Sequence, residues 1–325
     1  KKNGIKALTL IIGLIFFLSS NPYSLITIII LTLINYIGAK ELLKHHNKYF
    51  LIALIGVNLT TLIIGKSYIY FDLTTLNFLS DRKIELLKSL SPIGISFIFF
   101  HNVSFLIEAY RREVEISLFR FYDYITYFPK LVSGPIIKYK EFSTSDINKK
   151  KSLEQRIFSG LKLFIEGLAK KVLIANILSG FTTQVFSVNS VDVPTEVLIL
   201  NIFAYTFQIF FDFSGYTDMA RGISIILGKE LPINFNFPYL ATSISDFWCR
   251  WHMTLSRWFR EYVYFPLGGN RVGKFRNIIN IMIVFALTGL WHGLSLNFLL
   301  WGLYHGFFVS INKLINFKKR FNVPV

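Results

Sequence analysis

The residues in this chain best suited to moving a proton are two histidines that each follow a tryptophan: His252 in Arg250-Trp251-His252 and His292 in Gly289-Leu290-Trp291-His292-Gly293. Ionisable side chains inside apolar segments are unfavourable by about 2.5–3.5 kcal/mol on insertion scales, so those that occur tend to mark function. His292 follows an apolar run from Ile278 to Leu290 that, as helix, reaches only about 20 Å into a hydrocarbon core of about 30 Å. The run therefore predicts a half-length segment that ends inside the bilayer. A break there, flanked by Gly289 and Gly293, is tolerated only where protein or a water-filled cavity surrounds it. A desolvated imidazole stays neutral and can accept a proton, as a general base for a hydroxyl attacking a thioester must. A structural histidine bonding a neighbouring helix would carry the same local signature. His252 is open to the same two readings, orienting an acyl carbonyl or serving no chemistry at all.

The other polar groups are fewer and plainer. Asp212 and Asp218 sit in Phe211-Asp212-Phe213-Ser214-Gly215-Tyr216-Thr217-Asp218, where Asp218 and Arg221 at i,i+3 also make an ordinary helix ion pair. Ser214 lacks the G-x-S-x-G elbow of a hydrolase. Cys249, the single cysteine, excludes an intramolecular disulfide and a cysteine-based zinc cluster; beside Arg250 it could be an activated thiol, but between Phe247, Trp248 and Trp251 it reads as core. Leu267-Gly268-Gly269-Asn270-Arg271 reads as a tight turn, because paired glycines suit positive φ, with phosphate cradling through its backbone N–H groups as the rarer meaning.

The elements that must position these residues are membrane helices. The chain is 53% hydrophobic, 17% aromatic and 17% charged, far more apolar than the globular norm of about 45–50% apolar and 25% charged. Apolar stretches near 5–20, 22–39, 49–71, 90–108, 157–186 and 195–213 are long enough to span, while 116–137, 277–290 and 294–316 are shorter or mixed, so about eight to ten membrane segments are expected. No linker or internal repeat divides them, and the chain reads as one membrane domain over residues 1–325. It lacks an initiator methionine and stops soon after an apolar segment, as a fragment of a longer protein would. The net charge of +16 would suggest nucleic acid in a soluble protein. Here the cations cluster between apolar segments, at Arg111 and Arg112, Lys138 to Lys151, Arg271 to Arg276 and Lys318 to Arg320, which is the bias of cytoplasmic loops, so no nucleic-acid partner is expected. Residues 243–262 predict an amphipathic helix in the interface: Phe247, Trp248, Trp251, Leu255, Trp258, Phe259 and Tyr262 recur at helical spacing, away from Arg250, Arg257, Arg260 and Glu261. Ser243 with Asp246 would cap its start.

Several motifs in one order resemble the membrane-bound O-acyltransferases: Tyr205 to Asp218, Asn234-Phe235-Asn236-Phe237-Pro238-Tyr239, Ser243 to Trp248, Arg250 to His252, Leu267 to Arg271 and Gly289 to Gly293. Pro92 to Phe97 and Gly134-Pro135-Ile136 resemble the branch of membrane subunits that serve bacterial alginate and peptidoglycan O-acetylation, and the likeness covers roughly residues 50 to 316. It implies an all-α polytopic bundle around a buried tunnel, with half-length and interfacial helices. It implies a catalytic His292 and a second functional polar residue at His252. Within the matching motifs, Asp212, Asp218, Arg250, Trp251 and Trp291 are the expected substrate-binding residues. It further implies acetyl-CoA or another activated acyl donor as a substrate, with no resident cofactor or metal. The expected setting is a bacterial cytoplasmic membrane, with an extracytoplasmic SGNH-type acetyltransferase as partner. Within the family the rival reading is D-alanyl transfer to teichoic acid; outside it, a transporter of lipid-linked sugar that needs neither a thioester nor His292.

The Lys/Arg bias gives an orientation that can be checked. The loops holding Lys149 to Lys151 and Arg271 to Lys274 are expected in the cytoplasm. Single cysteines placed there should resist a membrane-impermeant thiol reagent in intact cells and react once the cells are opened; labelling in intact cells would contradict the assignment.

Overall fold

A computed structural model describes residues 2–20, 22–70, 92–147, 151–187 and 193–315. The predicted basic stretches at Lys149, Lys150 and Lys318 to Arg320 lie outside the described residues. Among the described residues, thirteen α-helices follow in order: α1 Lys2–Ser20, α2 Pro22–His45, α3 Lys48–Tyr70, α4 Ile95–Tyr110, α5 Leu118–Thr126, α6 Tyr139–Thr144, α7 Leu153–Ala169, α8 Asn176–Ser187, α9 Thr195–Ile226, α10 Ile244–Arg250, α11 Met253–Phe259, α12 Lys274–His292 and α13 Leu296–Ile315. Short π-helical stretches at Lys170–Ala175 and Arg260–Tyr264 join α7 to α8 and extend α11. Among the described residues there is no strand, only an isolated bridge between Asp146 and Lys229. The fold is all-α and polytopic. Among the described residues, five helices are long and apolar enough to cross a bilayer, within α2, α3, α9, α12 and α13, and α4 is a shorter apolar helix.

The chain forms two compact units, one made of Lys1–Val132, Ile136–Ser143 and Asn234–Val325, the other of Ser133–Pro135 and Thr144–Ile233. In the first, α2, α3 and α4 are tied by a ladder of asparagines: Asn58 donates to Asn35 at 2.8 Å, and Asn102 donates to Asn58 at 2.9 Å. Buried amides on apolar helices must pair with one another, which fixes the register of the three helices. The α4 helix begins where Gly94 adopts φ +78°, a left-handed conformation that glycine enters without penalty. Its aromatic face then packs Phe97 and Phe100 against Leu255, Trp258 and Phe259 of α11. The Trp258 indole N–H donates to Ser104 Oγ at 2.9 Å, so the ring is held by a polar bond as well as by packing.

In the second unit, α7 opens with a complete capping box between Ser152 and Gln155. It lies against α9 through glycines seven residues apart. A Cβ at Gly222 would sit 2.6 Å from the Gly160 carbonyl oxygen, and one at Gly215 would sit 2.6 Å from the Gly167 carbonyl oxygen. Small residues let apolar helices approach backbone to backbone, where dispersion contacts are densest. Away from this contact α9 carries Leu200, Ile202 and Phe203 on its exposed side, as a lipid-facing helix would.

Two expectations are corrected. Residues 243–262 do not form one interfacial helix: α10 ends at Arg250, His252 takes a left-handed backbone with φ +40°, and α11 starts at Met253. Its apolar positions Leu255, Trp258 and Phe259 are buried in protein, because α4 supplies an aromatic face for them. Its cations do not reach a headgroup layer unaccompanied, since Arg250 pairs with Asp246 at 3.0 Å and Arg257 with Glu141 at 2.8 Å. The second correction concerns the run before His292. The helix starts at Lys274 rather than Ile278 and has 19 residues, about 28 Å at 1.5 Å per residue, close to a full span. Polar Arg276 and Asn277 are helical because Asn277 and Asn280 donate from their side chains to the Gly269 carbonyl, at 2.6 and 3.5 Å.

The glycine contact is open to a direct test. Gly222→Leu would force a side chain into the backbone of Gly160 and Phe164, and overpacking of this kind destabilises by about 1–3 kcal/mol. A lowered thermal-unfolding midpoint of the purified protein is expected, whereas Gly180→Ala, where no neighbour lies within 4 Å, should not lower it.

Candidate active site

The break at His252 is built by one side chain. Asn234 Oδ1 accepts from the Thr254 amide at 3.3 Å and from Thr254 Oγ1 at 2.8 Å, and it lies 3.1 Å from His252 Nδ1. The Met253 amide donates to the Asn234 carbonyl at 2.9 Å and the Asn236 amide to the Arg250 carbonyl at 3.0 Å. Together these satisfy the backbone that leaves α10 and enters α11, which has no side-chain cap of its own at His252. A backbone amide can only donate, so the Asn234 atom it meets is the carbonyl oxygen. His252 Nδ1 must then carry a hydrogen, which leaves the basic lone pair of the ring on Nε2. Burial first, and the neighbouring His292 second, hold the His252 imidazole well below its ordinary pKa and hence neutral.

His292 is the last residue of α12, and extended Gly293 ends the helix there. The helix turns straight into α13, and the two pack closely at Gly289 and Gly302, where a Cβ on either would lie 3.3 Å from the other's Cα. This hairpin surrounds the imidazole with rings. His292 lies 4.7 Å from Trp291, 5.3 Å from Trp301 at 85°, and 6.3 Å from Phe298 nearly parallel. Trp291 in turn lies 6.3 Å from His252, so one indole touches both imidazoles.

Both histidines line a cavity of about 340 Å³. One wall is a stripe of α12, from His292 through Thr288, Phe285 and Val284 to Ile281, a length of about 16 Å along the helix. Trp248, Trp251, Leu255 and Phe259 also line it, together with Arg260, Tyr264 and Lys313. The Tyr264 hydroxyl accepts from Asn277 at 2.7 Å and from Lys313 at 3.0 Å. Asn277 is in the first turn of α12, and Lys313 is near the end of α13, so the cations mark the end of the cavity opposite His292. The cavity is thus elongated and mostly apolar, with neutral imidazole at one end and positive charge at the other.

The residues expected to bind substrate divide between the two units. Trp251 lines the cavity, Trp291 packs between the histidines, and Arg250 is engaged with Asp246. Asp212 and Asp218 belong to the second unit, where Asp212 pairs with Lys171, and Asp218 pairs with Lys170 at 2.6 Å and with Arg221 at 3.5 Å. The π-helical turn at Lys170–Ala175 presents both lysines to α9. Cys249 corrects the sequence reading: it is exposed and borders the cavity instead of filling a core. The turn at Gly268 and Gly269 has the expected positive φ, at +102° and +57°. Sequence reasoning gave no role to Asn234 or Lys66, although an asparagine in an aromatic motif and the one charge between Lys48 and Asp72 were signals that could have flagged them.

Residues 44–322 match the membrane-bound O-acyltransferase family. The chain is 36% identical over 279 residues to the probable alginate O-acetylase AlgI of Pseudomonas putida, covering 83% of this chain and 57% of that protein. It is 36% identical over 278 residues to the peptidoglycan O-acetyltransferase of Helicobacter pylori, covering 76% and 52%. It is 32% identical over 249 residues to the teichoic acid D-alanyltransferase of Bacillus subtilis, covering 72% and 61%. The chain spans about half the length of the curated relatives it matches.

Asn234→Ala removes the acceptor from three donors at once. Leaving buried donors unsatisfied destabilises by about 1–3 kcal/mol. The thermal-unfolding midpoint of the purified variant should fall accordingly; an unchanged midpoint would mean that the break at His252 does not depend on this side chain.

Proposed function

Because the chain belongs to the membrane-bound O-acyltransferase family, we propose that it moves an acetyl group from a cytoplasmic donor, acetyl-CoA, across a bacterial cytoplasmic membrane for O-acetylation of a cell-surface polysaccharide or peptidoglycan. The observation that carries this reading is the polarity of the cavity: two histidines at one end and Arg260 and Lys313 at the other, joined by an apolar passage. A thioester donor with a phosphorylated head matches that pattern, its anionic part beside the cations and its carbonyl about 16 Å away beside the imidazoles. The apolar walls exclude water, which protects the thioester from hydrolysis and strengthens electrostatics at the reacting carbonyl.

His292 acts as the general base. Its imidazole takes the proton of an acceptor hydroxyl as the oxygen attacks the thioester carbonyl, the tetrahedral intermediate collapses, and the proton passes to the departing thiolate. His252, with Nδ1–H held by Asn234, directs Nε2 toward the same chemistry and orients the carbonyl, while Trp251 and Trp291 bound the acyl group. Asp212 and Asp218, in the second unit, are proposed as further substrate-binding residues. An extracytoplasmic SGNH-type acetyltransferase receives the acyl group and completes transfer to the glycan. The likeness to teichoic acid D-alanyltransferases supports a second reading, in which the acyl group is D-alanyl delivered by a carrier protein.

Transfer from labelled acetyl-CoA by the purified protein with its partner, beside a binding measurement on the same preparation, tests the proposal. General-base assistance contributes about 10²–10⁴-fold, so His292→Gln should lose that much rate while donor binding stays near wild type. Retention of most of the rate would remove the base assignment, collapse of binding and rate together would make His292 structural, and activity with a D-alanyl carrier protein alone would favour the second reading.

A further inference from the structure

Lys66 lies near the end of α3, an apolar helix whose other charged residue is Lys48 at its start, and its ammonium meets the last turn of α12. It donates to the main-chain carbonyl of Trp291, the residue immediately before His292. It also lies 5.2 Å from the centre of the Trp291 ring, within cation–π range. No part of the proposed reaction uses it.

Three features give the contact meaning. The last carbonyls of a helix have no partner within the helix; at the end of α12 the Gly289 carbonyl is taken by the Gly293 amide at 3.1 Å, and the Trp291 carbonyl is taken by Lys66. A cation at a helix C-terminus is also attracted by the helix dipole. Finally, Trp291 is the ring between the two imidazoles, 6.3 Å from His252 and 4.7 Å from His292, and its other neighbours are Phe97 at 6.0 Å and Phe100 at 5.2 Å. Aromatic packing alone lets an indole slide and tilt, whereas a directed hydrogen bond to its own carbonyl fixes the backbone from which both Trp291 and His292 project.

We propose that Lys66 is a positioning residue: by bonding the Trp291 carbonyl and covering its ring, it fixes the last turn of α12 and so the orientation of His292 toward His252. The consequence for catalysis rests on His292 being the base; the geometric role does not. The asparagine ladder supports α3 as a rigid mount, since Asn58 lies on the same helix and is bonded to both Asn35 and Asn102. Removing the ammonium leaves α12 intact but frees its final turn. Misplacement of a reacting group by about 1 Å is enough to lower a rate by about a hundredfold.

The test has two arms on the full chain in detergent or proteoliposomes. In the first, carbethoxylation of His292 by diethyl pyrocarbonate is followed by mass spectrometry for wild type, Lys66→Met and Lys66→Arg. Lys66→Met should change the His292 modification rate several-fold, and Lys66→Arg, which keeps a donor and a cation, should restore it. In the second, acetyl transfer should show kcat lowered about ten- to a hundredfold in Lys66→Met with KM nearly unchanged, again recovered by Lys66→Arg. An unchanged His292 modification rate in Lys66→Met overturns the proposal, as does a Lys66→Arg variant no better than Lys66→Met in either arm. An altered modification rate restored by arginine, in a protein whose transfer is insensitive to His292→Gln, upholds the positioning role and removes the base assignment instead.

Discussion

Wherever this chain stops being helical among apolar segments, its backbone N–H and C=O groups must find partners inside the protein, because hydrocarbon supplies none. The first unit answers this at three places with four polar side chains. Asn234 satisfies the crossing from α10 to α11, Lys66 takes a carbonyl at the end of α12, and Asn277 and Asn280 take the Gly269 carbonyl in the turn before it. Each of these places adjoins the cavity. The bonds that make irregular backbone tolerable are therefore the same bonds that set where His252, His292 and Tyr264 lie.

That coupling explains why the site is placed on breaks instead of within long helices. A side chain in mid-helix faces one direction, fixed by helical periodicity. A residue at a helix end, or at a left-handed step such as His252, is freed from that periodicity, and its direction is set by whatever bonds its backbone. The gain is an imidazole pair that converges from two separate elements, with one indole in contact with both. The requirement is a set of buried polar groups that find partners in the protein, since an unsatisfied network in a low-dielectric setting is unfavourable.

The second unit follows a simpler rule. Its helices approach through Gly160, Gly167, Gly215 and Gly222, and its charges pair among themselves, Lys170 and Lys171 with Asp218 and Asp212. Ionic pairing of this kind neutralises side chains that would otherwise be unfavourable in an apolar helix. It also accounts for the conspicuous aspartates of the sequence without requiring that they touch substrate.

The sequence by itself determined the class of the protein and the course of its helices. Continuous apolar runs can only be membrane segments, so the spans predicted near 5–20, 22–39, 49–71 and 195–213 coincide with α1, α2, α3 and the first part of α9. Local chemistry was equally legible: the Ser243 cap of α10, the positive φ of Gly268 and Gly269, and the Asp218–Arg221 pair each depend on residues a few positions apart. The motif around His292 singles that residue out as a candidate, but the helix before it is longer than the apolar run, because its polar first turn is held by a turn carbonyl that no hydropathy pattern records. The break at His252 was hidden for the same reason. Periodicity through residues 243–262 is helical, and only Asn234, together with the aromatic face of α4, makes two short helices more favourable than one long one. Lys66 and Trp291 are 225 residues apart in sequence, so their contact exists only once α3 and α12 have packed. Tertiary structure decided the cavity, the bonds of Asn234, Asn277 and Lys66, and the direction of both imidazoles, because hydrogen bonds between distant segments leave no trace in local spacing.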